Sequence, residues 1–132
     1  MCREPIPDEE IVCIRIPSGE PWFQADTISS ANFKLNHRVN EQGISVYREA
    51  VVTHEEILSK PGAIAGSFLA TARVGAIRSL CDGTGKPLGL DVIPVDDEKD
   101  PGHAEIRSPT PGQLPAAAAK ALKKLFVRVE VS

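Results

Sequence analysis

The chain predicts one small α+β domain, built on a mixed β-sheet of about five strands with two or three helices packed on one of its faces. Three observations carry that expectation. Short β-branched runs recur along the chain, and eleven prolines and ten glycines in 132 residues keep every element short. Capping-box patterns at Thr53 and Thr110 mark helix starts between those runs. No internal repeat or low-complexity linker divides the sequence, and 42% hydrophobic with 25% charged residues is ordinary for one globular domain.

Residues 1–10 are mostly polar, with two prolines, and read as a loose arm before a domain over residues 11–132. Residues 11–16 (IVCIRI) form a β-branched strand. Its period of two sets Val12, Ile14 and Ile16 on the apolar face and Ile11, Cys13 and Arg15 on the other. Residues 29–35 (SSANFKL) suit a short strand or an extended segment, and residues 40–43 a turn. In the strand at residues 44–48, Ile44, Val46 and Arg48 stand opposite Ser45 and Tyr47. Thr53 and Glu56 form a capping box with Val52 and Ile57 at the staple positions, and Lys60-Pro61-Gly62 stops that short helix. Residues 66–80 read as a strand followed by a helix starting near Arg73, with one continuous helix as the rival. Residues 81–87 form a loop, 88–95 a strand ending at an edge-type proline, 96–102 an acidic loop and 103–108 another strand. Thr110-Pro111-Gly112-Gln113 opens a helix to about Phe126, with Leu114, Ala118, Ala121, Leu122 and Leu125 as its apolar stripe. Residues 127–131 (VRVEV) close the sheet as a final strand.

Composition excludes several classes. Fifteen basic against eighteen acidic residues give a net charge of −3, which argues against a general nucleic-acid binder. No apolar run approaches the roughly 18 residues of a membrane span, so no membrane association is expected. No apolar segment follows the N-terminus as a secretory signal requires. Cys2, Cys13 and Cys81 show no C-x-x-C pair, and His37, His54 and His103 lack metal-ligand spacing. Three reduced thiols, a cytoplasmic setting, no metal and no cofactor are therefore expected. A phosphate-binding Gly-Lys loop, a nucleophile elbow, a metalloprotease helix and an EF-hand loop are all missing.

One polar constellation remains: Arg15 in the first strand, Ser29, Ser30 and Phe33 in the next segment, Ser45, Tyr47 and Arg48 in the third, and His103 and Glu105 in a late strand. Strands can bring these four parts together across one sheet face. Arginine, serine and histidine suit an anionic ligand such as phosphate, with Arg15, His103 and Glu105 as the catalytic candidates. Each residue also has a plain structural use. Arg15 serves as a rim residue with a carboxylate partner, Ser29-Ser30 as a cap, Tyr47 as a half-buried sheet residue, and His103 as the first residue of its strand.

At these same residues the chain resembles a group of short bacterial open-reading-frame products. They share a first-strand Arg, Ser-Ser-x-x-Phe, Ser-Val, Gly-Leu-x-Val-x-Pro and late Pro-x-His-Ala-x-Ile. Here these are Arg15, Ser29 to Phe33, Ser45-Val46, Gly89 to Pro94 and Pro101 to Ile106. That resemblance implies a bacterial, cytosolic accessory protein encoded beside a larger protein partner. Arg15, Ser29-Ser30 with Phe33, and Glu105 also follow the order of ADP-ribosyltransferase motifs, although that family spaces its two serines by one residue.

Two functional expectations follow. One is an interaction protein that docks to a larger partner, its edge-prone VRVEV strand adding to another sheet. The other is an enzyme acting on a phosphate-bearing small molecule or RNA, with Arg15 and Arg48 as phosphate holders and His103 as acid or base. Simple nucleic-acid binding would rest on Lys120, Lys123, Lys124 and Arg128, a set more often found at a solvated helix end.

Overall fold

The computed structural model describes residues 5–17, 23–24, 27–33, 43–59, 67–95, 100–110 and 112–129. Strand β1 (Ile11–Ile16) organises the sheet. Val12, Cys13 and Ile16 have no exposed surface although they point to opposite faces. A strand covered on both faces belongs inside a sheet, and β1 has a neighbour on each side. The six strands run in the order β6 (Asp91–Pro94), β7 (His103–Arg107), β4 (Ile44–Arg48), β1, β5 (Phe68–Arg73), β8 (Val127–Arg128). A separate two-stranded hairpin pairs β2 (Phe23–Gln24) with β3 (Thr27–Ile28).

The α+β class holds. Every described pairing is antiparallel, where the sequence predicts a mixed sheet of about five strands. Parallel neighbours need a crossover of roughly a dozen residues or more, usually an α-helix. Helices α1 (His54–Leu58) and α2 (Val74–Arg78) have five residues each, too few for that task. The ten-residue α3 (Ala116–Leu125) instead carries the chain from β7 to β8 at the far edge.

The main core lies on one face, where Val12, Ile14, Ile16, Val46 and Ile106 meet α2, α3 and a 3-10 turn at Ser30–Phe33. Phe33 is fully buried there, its ring centroid 5.3 Å from that of Phe126. The other face carries a smaller cluster of Cys13, Val52, Ile57 and Leu69, covered by α1. The helices therefore occupy both faces rather than one. The capping box forms as predicted, and the Ile57 it delivers packs on an apolar floor that includes Cys13, Val52 and Leu69.

Residues 68–78 resolve as strand then helix, the period switching at Arg73. Other segments depart from the reading. Residues 30–33 coil because the Ser29 hydroxyl accepts the Ala31 N–H at 3.1 Å and the Asn32 amide donates to the Ser29 carbonyl at 2.9 Å. Lys34 and Leu35 lie outside the described residues. α3 starts after Pro115, not at Thr110. Gly112 sits at φ +74°, and the Thr110 carbonyl accepts a turn bond from the Gln113 N–H and a bond from the Ser108 hydroxyl rather than a helical one.

Residues 5–10 are docked rather than loose. Ile6 is buried, and the Asp8 and Glu10 carbonyls accept the N–H groups of Gly75 and Val74 at 2.8 and 2.9 Å. Those amides open α2, where no side-chain cap satisfies them, so the arm does so. Arg78 tightens the joint by donating to the Ile6 carbonyl and to Asp8, each at 2.6 Å. Among the described residues no helix is long and apolar enough to cross a membrane.

Candidate functional site

The sheet face under α1 gathers five of the nine candidate residues. Cys13 pairs with Tyr47 across β1 and β4, Tyr47 with His103 and Ser45 with Glu105 across β4 and β7. Side chains in direct register share a face, and Arg15 lies two residues from Cys13 on the same strand face. Arg15, Ser45, Tyr47, His103 and Glu105 thus stand on three adjacent strands of one surface.

His103 is the hinge of this group. Its Nε2 lies 3.1 Å from the Ser45 hydroxyl, and its Nδ1 lies 3.9 Å from Asp100 Oδ2. Ser45 is exposed to solvent, whereas His103 and Asp100 are partly sheltered. The Tyr47 hydroxyl donates to the same Asp100 oxygen at 3.1 Å, and the Tyr47 and His103 rings stack with centroids 5.5 Å apart. Burial and then the Asp100 carboxylate push the Tyr47 hydroxyl up to about 12, while Arg15 pulls it down. Asp100 reaches this position through the Asp100-Pro101-Gly102-His103 turn, closed by the His103 N–H on the Asp100 carbonyl at 3.3 Å with Gly102 at φ +82°. Proline followed by a positive-φ glycine is the signature of a type II turn, a legible signal for Asp100 that the constellation omits.

Arg15 also donates to the Ile57 carbonyl at 3.4 Å, which ties it to the last turn of α1. Glu105 is engaged by Arg107, whose guanidinium donates to Oε1 at 2.9 and 2.6 Å. The Glu105 carboxylate is thereby held in an ion pair.

Four candidates lie elsewhere. Arg48 pairs in register with Val12 on the main-core face and makes a two-pronged ion pair with Glu10 at 3.0 and 2.6 Å. Ser29, Ser30 and Phe33 belong to the 3-10 turn beneath α3, on that same side of the sheet. The pleat separates both groups from His103, so the constellation does not assemble as four parts.

The basic residues do not form one patch either. Lys120 and Lys124 rim a groove of about 670 Å³ between α3 and residues 80–83, whereas the Arg128 guanidinium sits over the Phe68 ring, 4.2 Å from its centroid. A second polar group not readable from spacing joins Cys13 to Glu49 and His54 beside α1, and these are the described residues whose donor set suits a metal. Comparisons with protein-family models, with curated proteins and with solved structures return no match.

Proposed function

We propose that the chain is a small group-transfer enzyme acting on a phosphate-bearing small molecule at the sheet face around His103. The observation that carries this reading is the 3.1 Å contact between the Ser45 hydroxyl and His103 Nε2, with the Asp100 carboxylate 3.9 Å from the other ring nitrogen, at ion-pair rather than hydrogen-bond distance. In the proposed step the Ser45 oxygen attacks phosphorus and its proton passes to His103 Nε2. The leaving oxygen takes that proton, and water then releases the phosphoryl group from Ser45. Asp100 orients the ring and stabilises its charged form, and Arg15 faces the negative charge of the phosphoryl oxygens. The Arg107 pairing of Glu105 supports an anionic ligand, because it sets a positive charge against the carboxylate on this face.

A fluorophosphonate probe tests this without knowledge of the substrate. Covalent labelling at Ser45 is expected, lost in Ser45→Ala and reduced at least about 100-fold in rate in His103→Ala. A folded protein that leaves Ser45 unlabelled would rule the reading out.

A second reading, a docking protein for a larger partner, is favoured by strand β8. It is an edge strand paired only with β5 among the described strands, and Val127 on it is 65% exposed. Stoichiometric copurification of one partner from the native host, abolished by Arg128→Pro at the outward-facing N–H of the edge, is the expected result. A protein recovered alone and monomeric would remove that reading.

A further inference from the structure

Cys13, Glu49 and His54 come from three parts of the chain: β1, the turn after β4, and the first residue of α1. The thiol donates to Glu49 Oε2 at 3.8 Å, and His54 Nε2 lies 3.1 Å from that same oxygen. All three donor atoms fall within 4.8 Å of one another. A tetrahedral zinc with a Zn–S bond of about 2.3 Å and Zn–N and Zn–O bonds of about 2.0 Å has ligand-to-ligand edges of roughly 3.3–3.5 Å. The sulfur–oxygen and nitrogen–oxygen separations of 3.8 and 3.1 Å lie on either side of those edges, and the remaining pair lies within 4.8 Å, so side-chain rotation brings the three donors onto one ion.

We propose that Cys13, Glu49 and His54 form a binding site for a divalent transition metal, zinc by donor chemistry, with its fourth position open to solvent. A thiolate, an imidazole and a carboxylate together suit zinc and disfavour magnesium or calcium, which take oxygen ligands. Exposure supports the open position: Cys13 closes the inner side with no exposed surface, while His54 and Glu49 are 40% and 43% exposed. The capping box at Thr53 fixes the start of α1 and with it the place of His54. Binding forms a metal–sulfur bond and releases the thiol proton to solvent. The divalent ion offsets the repulsion that the resulting thiolate would feel from the Glu49 carboxylate.

A cysteine nucleophile is a poorer account of the same residues. Glu49 rather than His54 faces the sulfur, and a neighbouring carboxylate together with burial keeps a thiol protonated.

Cobalt(II) titration of a Cys2→Ser/Cys81→Ser protein isolates Cys13 as the one thiol. One equivalent is expected to give a thiolate-to-cobalt charge-transfer band with the visible bands of a tetrahedral ion, displaced by zinc. His54→Ala and Glu49→Gln, both surface changes, should each weaken binding about tenfold or more. Cys13→Ser should lose the charge-transfer band, with circular dichroism confirming the fold. A folded protein with no thiolate band would overturn the proposal. So would a band that survives both surface variants at unchanged affinity.

Discussion

Phe33→Ala is expected to destabilise the protein by about 3–5 kcal/mol, the range for truncating a buried aromatic. Phe33 has no exposed surface, stacks against Phe126, and joins the 3-10 turn to α3. Alanine removes the ring and leaves a cavity between two elements that the backbone holds apart. Domains of this size have about 5–15 kcal/mol in total, so the variant sits near the edge of folding. Denaturant unfolding measures the effect through the midpoint. A loss under about 1 kcal/mol would mean that α3 closes onto the sheet without the ring. Phe33→Leu should recover much of the loss.

Alkaline pH is the second large perturbation. Burial, reinforced by the Glu49 carboxylate, pushes the Cys13 thiol from 9.0 up to about 12. The Tyr47 hydroxyl rises from 10.0 to about 12, through burial and then Asp100. Both groups are neutral when protonated, and both hold their proton more tightly in the folded state. Folding therefore gains from them below about pH 9, and that gain disappears as pH climbs toward 12. A shift of this size at Cys13 corresponds to on the order of 4 kcal/mol. Unfolding free energy measured across that window should fall more steeply for the wild type than for Cys13→Ala or Tyr47→Phe. Identical slopes in all three would show that these groups titrate alike in the folded and unfolded chain.

Much of the candidate surface is legible because a strand's period of two is a strong rule. Once Cys13 and Tyr47 are neighbours, Arg15, Ser45, His103 and Glu105 must share their face. The same alternation sets Arg48 with Ile44 and Val46, so grouping it with Tyr47 by charge overrides the pleat. The strand-to-helix switch at Arg73 and the capping box at Thr53 are equally local, and both follow from residues within a turn of each other.

Strand order is not local, and the sites depend on it. Glu49 and His54 reach Cys13 only because β1 lies beside β4, and no spacing rule connects positions so far apart. The docked arm is hidden for a related reason. A proline-flanked Ile6 looks like a tail until the uncapped amides of α2 are known to need carbonyl partners. The 3-10 turn at Ser30–Phe33 escaped because serine and asparagine side chains compete with strand pairing at short range.

The central position of β1 also sets a schedule for synthesis. Val12 precedes its partner Arg48 by 36 residues and Ile11 precedes Arg73 by 62, so each edge of β1 stays unpaired until those later strands are made. Meanwhile IVCIRI is an unpaired, β-branched segment with a single charge, the composition that self-associates into stacked strands. Loop closure of that span also slows folding relative to local hairpins. Arg15 is the gatekeeper in that interval: the charge that lies on the α1 side of the sheet in the finished domain first keeps nascent chains from adhering through this apolar strand.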